Sequence, residues 1–189
     1  MTSYIWLGIL FVLLGYGIVL YNGLVNLKHG VAQAWSNIEV LLKQRHDELP
    51  KLVESCKQYM QFEKETLERV MQARAAAFSA RERGDVKGVG AAEGALRLGL
   101  GNIVATAEAY PELKANQSIQ TLLGRITGLE NAISDRREFY NEAVNRNNVR
   151  IEEFPDIVVA RLLAFGPREL LMFSEDEKKD VDLKALFST

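Results

Sequence analysis

No Asp, Glu, Lys, Arg or His occurs before Lys28. So long an uncharged stretch at one end of a chain is poorly suited to water and too long for the core of one small domain. Within it, residues 4–20 read YIWLGILFVLLGYGIVL. A helix over residues 4–24 would be about 30 Å long, enough to cross the hydrocarbon core of a bilayer. Tyr4 and Trp6 stand at one end and Tyr16 and Tyr21 near the other, where aromatic rings suit the two interfaces. With Leu10, Leu14 and Leu20 they form the candidate anchor. A cleaved signal peptide fits less well: no basic residue precedes the run, and its small-x-small candidate, Gly15-Tyr16-Gly17, lies inside the apolar stretch. Basic residues flank only the C-terminal side, at Lys28, Lys43 and Arg45. The positive-inside rule therefore predicts an N-terminus outside and the larger domain in the cytoplasm.

The remainder predicts helices throughout. From Leu24 to about Arg83, apolar residues recur at three- and four-residue steps through Val31, Trp35, Ile38, Leu42, Leu49, Leu52, Cys56, Tyr59, Leu67 and Val70. Pro50 alone interrupts the pattern. It either kinks one long helix or, with Asp47 as cap, marks a reversal with the proline in the first turn of a new helix. Gly84-Asp85 predicts a turn with Asp85 as N-cap. The helical pattern of residues 86–108 holds five glycines, each costing up to about 1 kcal/mol relative to alanine. A locally weak helix is one reading; close approach of a neighbouring helix along Gly90, Ala91, Gly94 and Ala95 is the other. Tyr110-Pro111 ends this helix, Asn116-Gln117-Ser118 opens the next, and Phe154-Pro155 closes it. The expected fold is all-α: an N-terminal transmembrane helix (1–27), then an elongated up-and-down bundle of three to four long helices (28–155). A short apolar helical segment (156–173) and a charged, mobile tail (174–189) follow.

Chemistry-bearing patterns are sparse. The 23 Lys and Arg nearly balance the 25 Asp and Glu, against the basic excess of nucleic-acid binders. With Cys56 alone, neither an intramolecular disulfide nor a cysteine-based zinc site can form. His29 and His46 are not in Glu-x-x-His pairs, which excludes the di-iron bundle pattern. Neither GxSxG nor a phosphate-binding glycine loop is present. Cys56 falls on the apolar face and reads as a small core residue. Asn141, Asn145 and Asn148 read as helix-contact hydrogen bonders more readily than as a binding surface.

Residues 21–74 and 107–155 resemble the front and back halves of the LemA family of bacterial membrane proteins. The motifs are Tyr21-Asn22 with Leu24-Val25, Ala34-Trp35, the stretch from Leu41 to Pro50, the run Ala109-Tyr110-Pro111-Glu112-Leu113-Lys114, and Phe139-Tyr140-Asn141-Glu142-Ala143-Val144. The glycine-rich middle and the acidic tail match less well. The resemblance implies a single N-terminal transmembrane helix and an elongated helical domain. It implies no established enzymatic activity and supplies no catalytic residues.

Two functional expectations follow, neither enzymatic and neither calling for a cofactor or a metal. One is a scaffold or adaptor in a bacterial membrane, contacting the bilayer and a protein partner through Ile157, Val158, Arg161, Leu162, Phe165 and Arg168. This surface lies at the bilayer interface if the bundle brings the Phe154 end back to the membrane, and far from it otherwise; simple packing of the segment on the bundle is the alternative reading. The other is a homo-oligomer that organises the membrane, motivated by Gly90/Gly94 and, weakly, Gly8/Gly15.

Overall fold

A computed structural model describes residues 2–57, 59–60 and 64–173. Its helices are α1 (Thr2–Lys57), α2 (Lys64–Glu82), α3 (Val86–Ala109), α4 (Pro111–Ala115), α5 (Gln117–Arg150) and α6 (Asp156–Leu162). Among the described residues there is no strand. The all-α expectation holds, with a long apolar N-terminal helix and antiparallel helix packing. The expected charged tail, 174–189, lies outside the described residues.

Pro50 neither ends α1 nor reverses the chain. A proline inside a helix removes the N–H that would bond the carbonyl four residues earlier, here that of His46. That carbonyl is not left orphaned: Arg74 of α2 donates from Nε to the His46 oxygen at 2.9 Å. A charged donor on the neighbouring helix thus replaces the missing backbone donor. The reversal comes after Lys57, in the connection to α2, where the apolar period continues and gives no warning.

The chain divides into two compact units: residues up to Glu39 with Asp135–Leu170, and Val40–Ser134 with the described residues from Leu171 onward. The core of the second unit joins Leu49, Leu52 and Cys56 of α1, Val70 of α2, Leu96 and Ile103 of α3, and Ile119 and Ile126 of α5. Its α2–α3 turn is as predicted. Gly84 takes φ +67°, the Asp85 N–H bonds the Ala80 carbonyl at 3.0 Å, and the Asp85 carboxylate accepts from the Gly88 N–H at 2.8 Å. Asn116 caps α5 by accepting from the Ser118 and Ile119 N–H groups at 3.0 and 3.2 Å.

The glycines of α3 leave the helix unbroken. A methyl on Gly90 would strike the Met172 carbonyl, and one on Gly94 the Phe173 carbonyl. The neighbour on this small face is therefore not a helix but the extended C-terminal strap, whose Leu171 and Phe173 are buried. Ala91 and Ala95 are exposed and take no part.

In the first unit, α5 runs antiparallel to α1. Trp35 meets Tyr140 with ring centroids 5.3 Å apart, and eleven residues along each helix Leu24 clusters with Ile151. The segment 156–173 is helical only over Asp156–Leu162; a turn and the extended strap follow.

Candidate functional site

The apolar run of α1 is bare of protein contacts. Tyr4, Trp6, Leu10, Leu14 and Tyr16 are all exposed, as are their apolar neighbours through Val19. Of the candidate anchor residues, Leu20 differs: it is buried, and Leu24 one turn later is 1% exposed. The helix is long and apolar enough to cross a membrane, and it passes into the protein interior without a break.

The α5–α6 corner sits beside the residues where that bare run stops. Val159, Ala160 and Phe165 pack around Leu24, and the Phe165 ring meets Tyr21 edge-on at 6.0 Å. Asp156 is buried and pairs with Arg150, Nε to Oδ1 at 2.9 Å. These contacts fix which face of α6 points inward. At helical spacing, Val158, Arg161 and Leu162 then fall on the outer face, and all three are exposed. Leu162 is 80% exposed and Phe154, just ahead of α6, 84%; Leu163 adds to the same patch. Soluble surfaces scatter exposed apolar residues singly, whereas a cluster marks an interaction surface.

The residues expected to form one surface therefore divide. Val158, Arg161 and Leu162 face out, Ile157 and Phe165 are half-buried, and Arg168 is exposed in the strap beyond α6. Phe154 is exposed just ahead of α6, although sequence reasoning takes it only as a helix stop; a large aromatic before a proline at a helix end is its one signal. Of the three expected asparagines, Asn148 acts on the strap rather than between helices. The Asn148 side chain accepts from the Arg168 N–H at 2.8 Å and donates to the Arg168 carbonyl at 2.9 Å. Asn147, absent from the expected trio, is buried and donates to the Gly166 carbonyl at 3.5 Å. Asn145 is exposed.

The second unit holds a buried charge cluster. Arg45 pairs with Glu93 and Glu130 in the core, and Arg125 pairs with the buried Glu48 at 2.5 Å. Burial pushes the Arg45 guanidinium below its ordinary value, opposed by Glu130. Cys56 is a core residue, its thiol pushed up by burial to about 11, which leaves it protonated and unreactive at neutral pH. An apolar cavity of about 760 Å³ lies between the end of α1 and α2, lined by Val53, Met60, Leu67 and Met71. The charges on its rim pair with each other, Lys57 with Glu54 and Lys64 with Glu68. Among the described residues no His, Cys, Asp and Glu side chains gather as metal ligands would.

The sequence model of the LemA family matches residues 34–184, most of the chain. No curated protein matches it.

Proposed function

The chain belongs to the LemA family, and we propose that it is a membrane-anchored, non-catalytic scaffold that holds its helical domain against the bilayer surface. The observation that carries this reading is the level of the α6 patch. Eleven residues of antiparallel register bring the end of α5 back to Leu24, where the bare apolar run of α1 gives way to packed helix. With residues 4–20 in the hydrocarbon, Phe154, Val158, Leu162 and Leu163 stand at the headgroup boundary. There an apolar face with flanking arginine is stabilised by partial insertion. The short N-terminus lies outside and the domain in the cytoplasm, following the basic flank.

The scaffold reading gains support over self-association from Gly90 and Gly94. Their small face is already filled by the chain's own strap, so it offers nothing to a second copy.

The test uses the full chain in lipid nanodiscs, with Cys56→Ala and one cysteine carrying an environment-sensitive dye at position 162 or 139. Phe139 is an exposed residue of α5 in the same unit, about 18 Å along that helix from the Leu24 level. Lipids brominated near the headgroup end of the acyl chain are expected to quench the dye at 162 and not at 139. Equal quenching at the two positions would remove the interfacial role of α6.

A further inference from the structure

Beside the α6 patch, the first unit holds a second feature. A cavity of about 280 Å³ is lined by Tyr21, Lys28, Asn147, Phe165, Gly166 and Arg168, among others. Its charge is one-sided: two cations line it and none of the described lining side chains is acidic. Some surface cations are paired within a helical turn, as Arg69 is with Glu65 at 2.5 Å and Arg146 with Glu142 at 2.7 Å. Lys28 and Arg168 form no such ion pair among the described residues.

The walls are also built rather than incidental. The Asn148 side chain clamps the Arg168 backbone from both sides. The buried Asn147 holds Gly166, and the Tyr140 hydroxyl donates to the Glu169 carbonyl at 2.9 Å. Ala164 turns the chain with φ +56°, and the Phe165 N–H closes that turn on the Ala160 carbonyl at 2.9 Å. The strap carrying Arg168 is thereby fixed against α5 before any ligand arrives, which lowers the cost of ordering it on binding. A guanidinium can grip two phosphate oxygens at once, an ammonium contributes a point charge, and a tyrosine hydroxyl is a further donor. The volume lies below that of a site for a drug-sized ligand, on the scale of a headgroup.

We propose that this cavity binds a phosphate group, carried by an anionic phospholipid headgroup at the bilayer surface or by a free phosphate. The lipid source rests on the membrane-anchored reading above: Tyr21 closes the apolar run, and Lys28 follows two turns later, in the headgroup zone. Bound there, an anionic lipid would set the single negative charge of its phosphodiester against both cations.

The experiment compares three full-length proteins: the unchanged chain, Lys28→Gln with Arg168→Gln, and a charge-matched control, Lys43→Gln with Arg97→Gln. Lys43 and Arg97 are exposed and do not line the cavity. Each is equilibrated with equal phosphatidylglycerol and phosphatidylcholine in mild detergent, and retained lipid is counted by native mass spectrometry. In a second arm, lipid-free protein is titrated with inorganic phosphate and followed by phosphorus-31 line broadening. The unchanged chain and the control are expected to retain phosphatidylglycerol at least tenfold over phosphatidylcholine, and the cavity variant to lose that preference. Phosphate broadening lost in the cavity variant, without lipid preference in any protein, assigns the site to free phosphate. Neither readout changing in the cavity variant overturns the proposal. Vesicle flotation of the same proteins separates the two readings: a chain that does not float ends the anchored reading, and the phosphate arm then decides the cavity alone.

Discussion

Arg74 and Pro50 are coupled through a single carbonyl, and the coupling can be measured. Pro50 leaves the His46 oxygen without its helical donor, and Arg74 supplies one at 2.9 Å. A hydrogen bond from a charged donor contributes about 1.5–3 kcal/mol, and a half-buried carbonyl left unpaired costs a comparable amount. Arg74→Met keeps most of the side-chain stem and removes the donor, so it should cost about 2 kcal/mol. In a Pro50→Ala background the alanine restores the backbone N–H, which takes over the His46 carbonyl. Arg74 then becomes an ordinary surface-facing residue, and its replacement should cost within about 0.5 kcal/mol. Pro50→Ala itself should stabilise, since an interior proline costs about 3 kcal/mol less whatever the arginine returns. The cycle of four proteins, read by denaturant unfolding in one detergent, is thus expected to give a coupling of about 1–2 kcal/mol. If Arg74→Met costs the same in both backgrounds, the arginine is not substituting for the missing backbone donor.

Three further outcomes are expected. Gly90→Ala should destabilise, because its methyl meets the Met172 carbonyl. Displacing the strap exposes Leu171 and Phe173, at up to about 3–6 kcal/mol. Gly101→Ala, in the same helix with nothing within 4 Å, should instead stabilise by up to about 1 kcal/mol. Parallel melts that shift the same way would sink the strap assignment. Arg45→Met strands the buried Glu93 and should cost about 3–5 kcal/mol, whereas replacing Arg45, Glu93 and Glu130 together by apolar residues should recover most of it; a triple variant no better than the single one contradicts this. His46 is held below its ordinary value of 6.5 by burial, then by Arg74 and Arg81, with Asp47 opposing. The unfolded chain therefore takes up the proton first, so stability is full above about pH 6.5 and declines as the pH falls below it. His46→Gln should flatten that part of the profile between about pH 7.5 and 5.5; an unchanged slope assigns the decline to other groups.

Much of the architecture was legible because it rests on local signals. An uncharged apolar run, Gly84-Asp85, Asn116 and Pro155 each act within a few residues, through solvation, a left-handed turn, a side-chain cap or a missing N–H. What stayed open depended on residues distant in sequence. The donor that meets the carbonyl freed by Pro50 is Arg74, twenty-four residues away, and no local pattern announces a donor there. The reversal after Lys57 is hidden because the apolar spacing through Tyr59 to Leu67 continues the helical count. The small face on α3 was visible as a need for close approach. That its neighbour is an extended strap was not, since the carbonyls of Met172 and Phe173 belong to no periodic pattern.

The location of the candidate surface follows from the same distinction. Its composition could be read from Ile157 to Phe165, but its height along the anchor could not. Two sequence readings were available: a reversal at Asp47 that returned the segment to the bilayer, and a kinked helix that left it remote. The structure combines an unbroken α1 with a return of α5 to Leu24. The segment thus returns to the end of the apolar run without a reversal at Asp47. Register supplies the reason. From the Trp35–Tyr140 contact, each helix advances about 16 Å to the Leu24–Ile151 cluster, so α5 cannot end far from the apolar run unless the pairing slips. A slip by one residue rotates each side chain about 100° round its helix, pulling Ile151 off Leu24 and Tyr140 off Trp35. The buried contacts that stabilise this pair of helices therefore also set the level at which Phe154 and Leu162 stand. Under the proposed function, mutations that loosen Trp35 or Tyr140 should weaken the lipid quenching of a dye at position 162 without changing α6 itself.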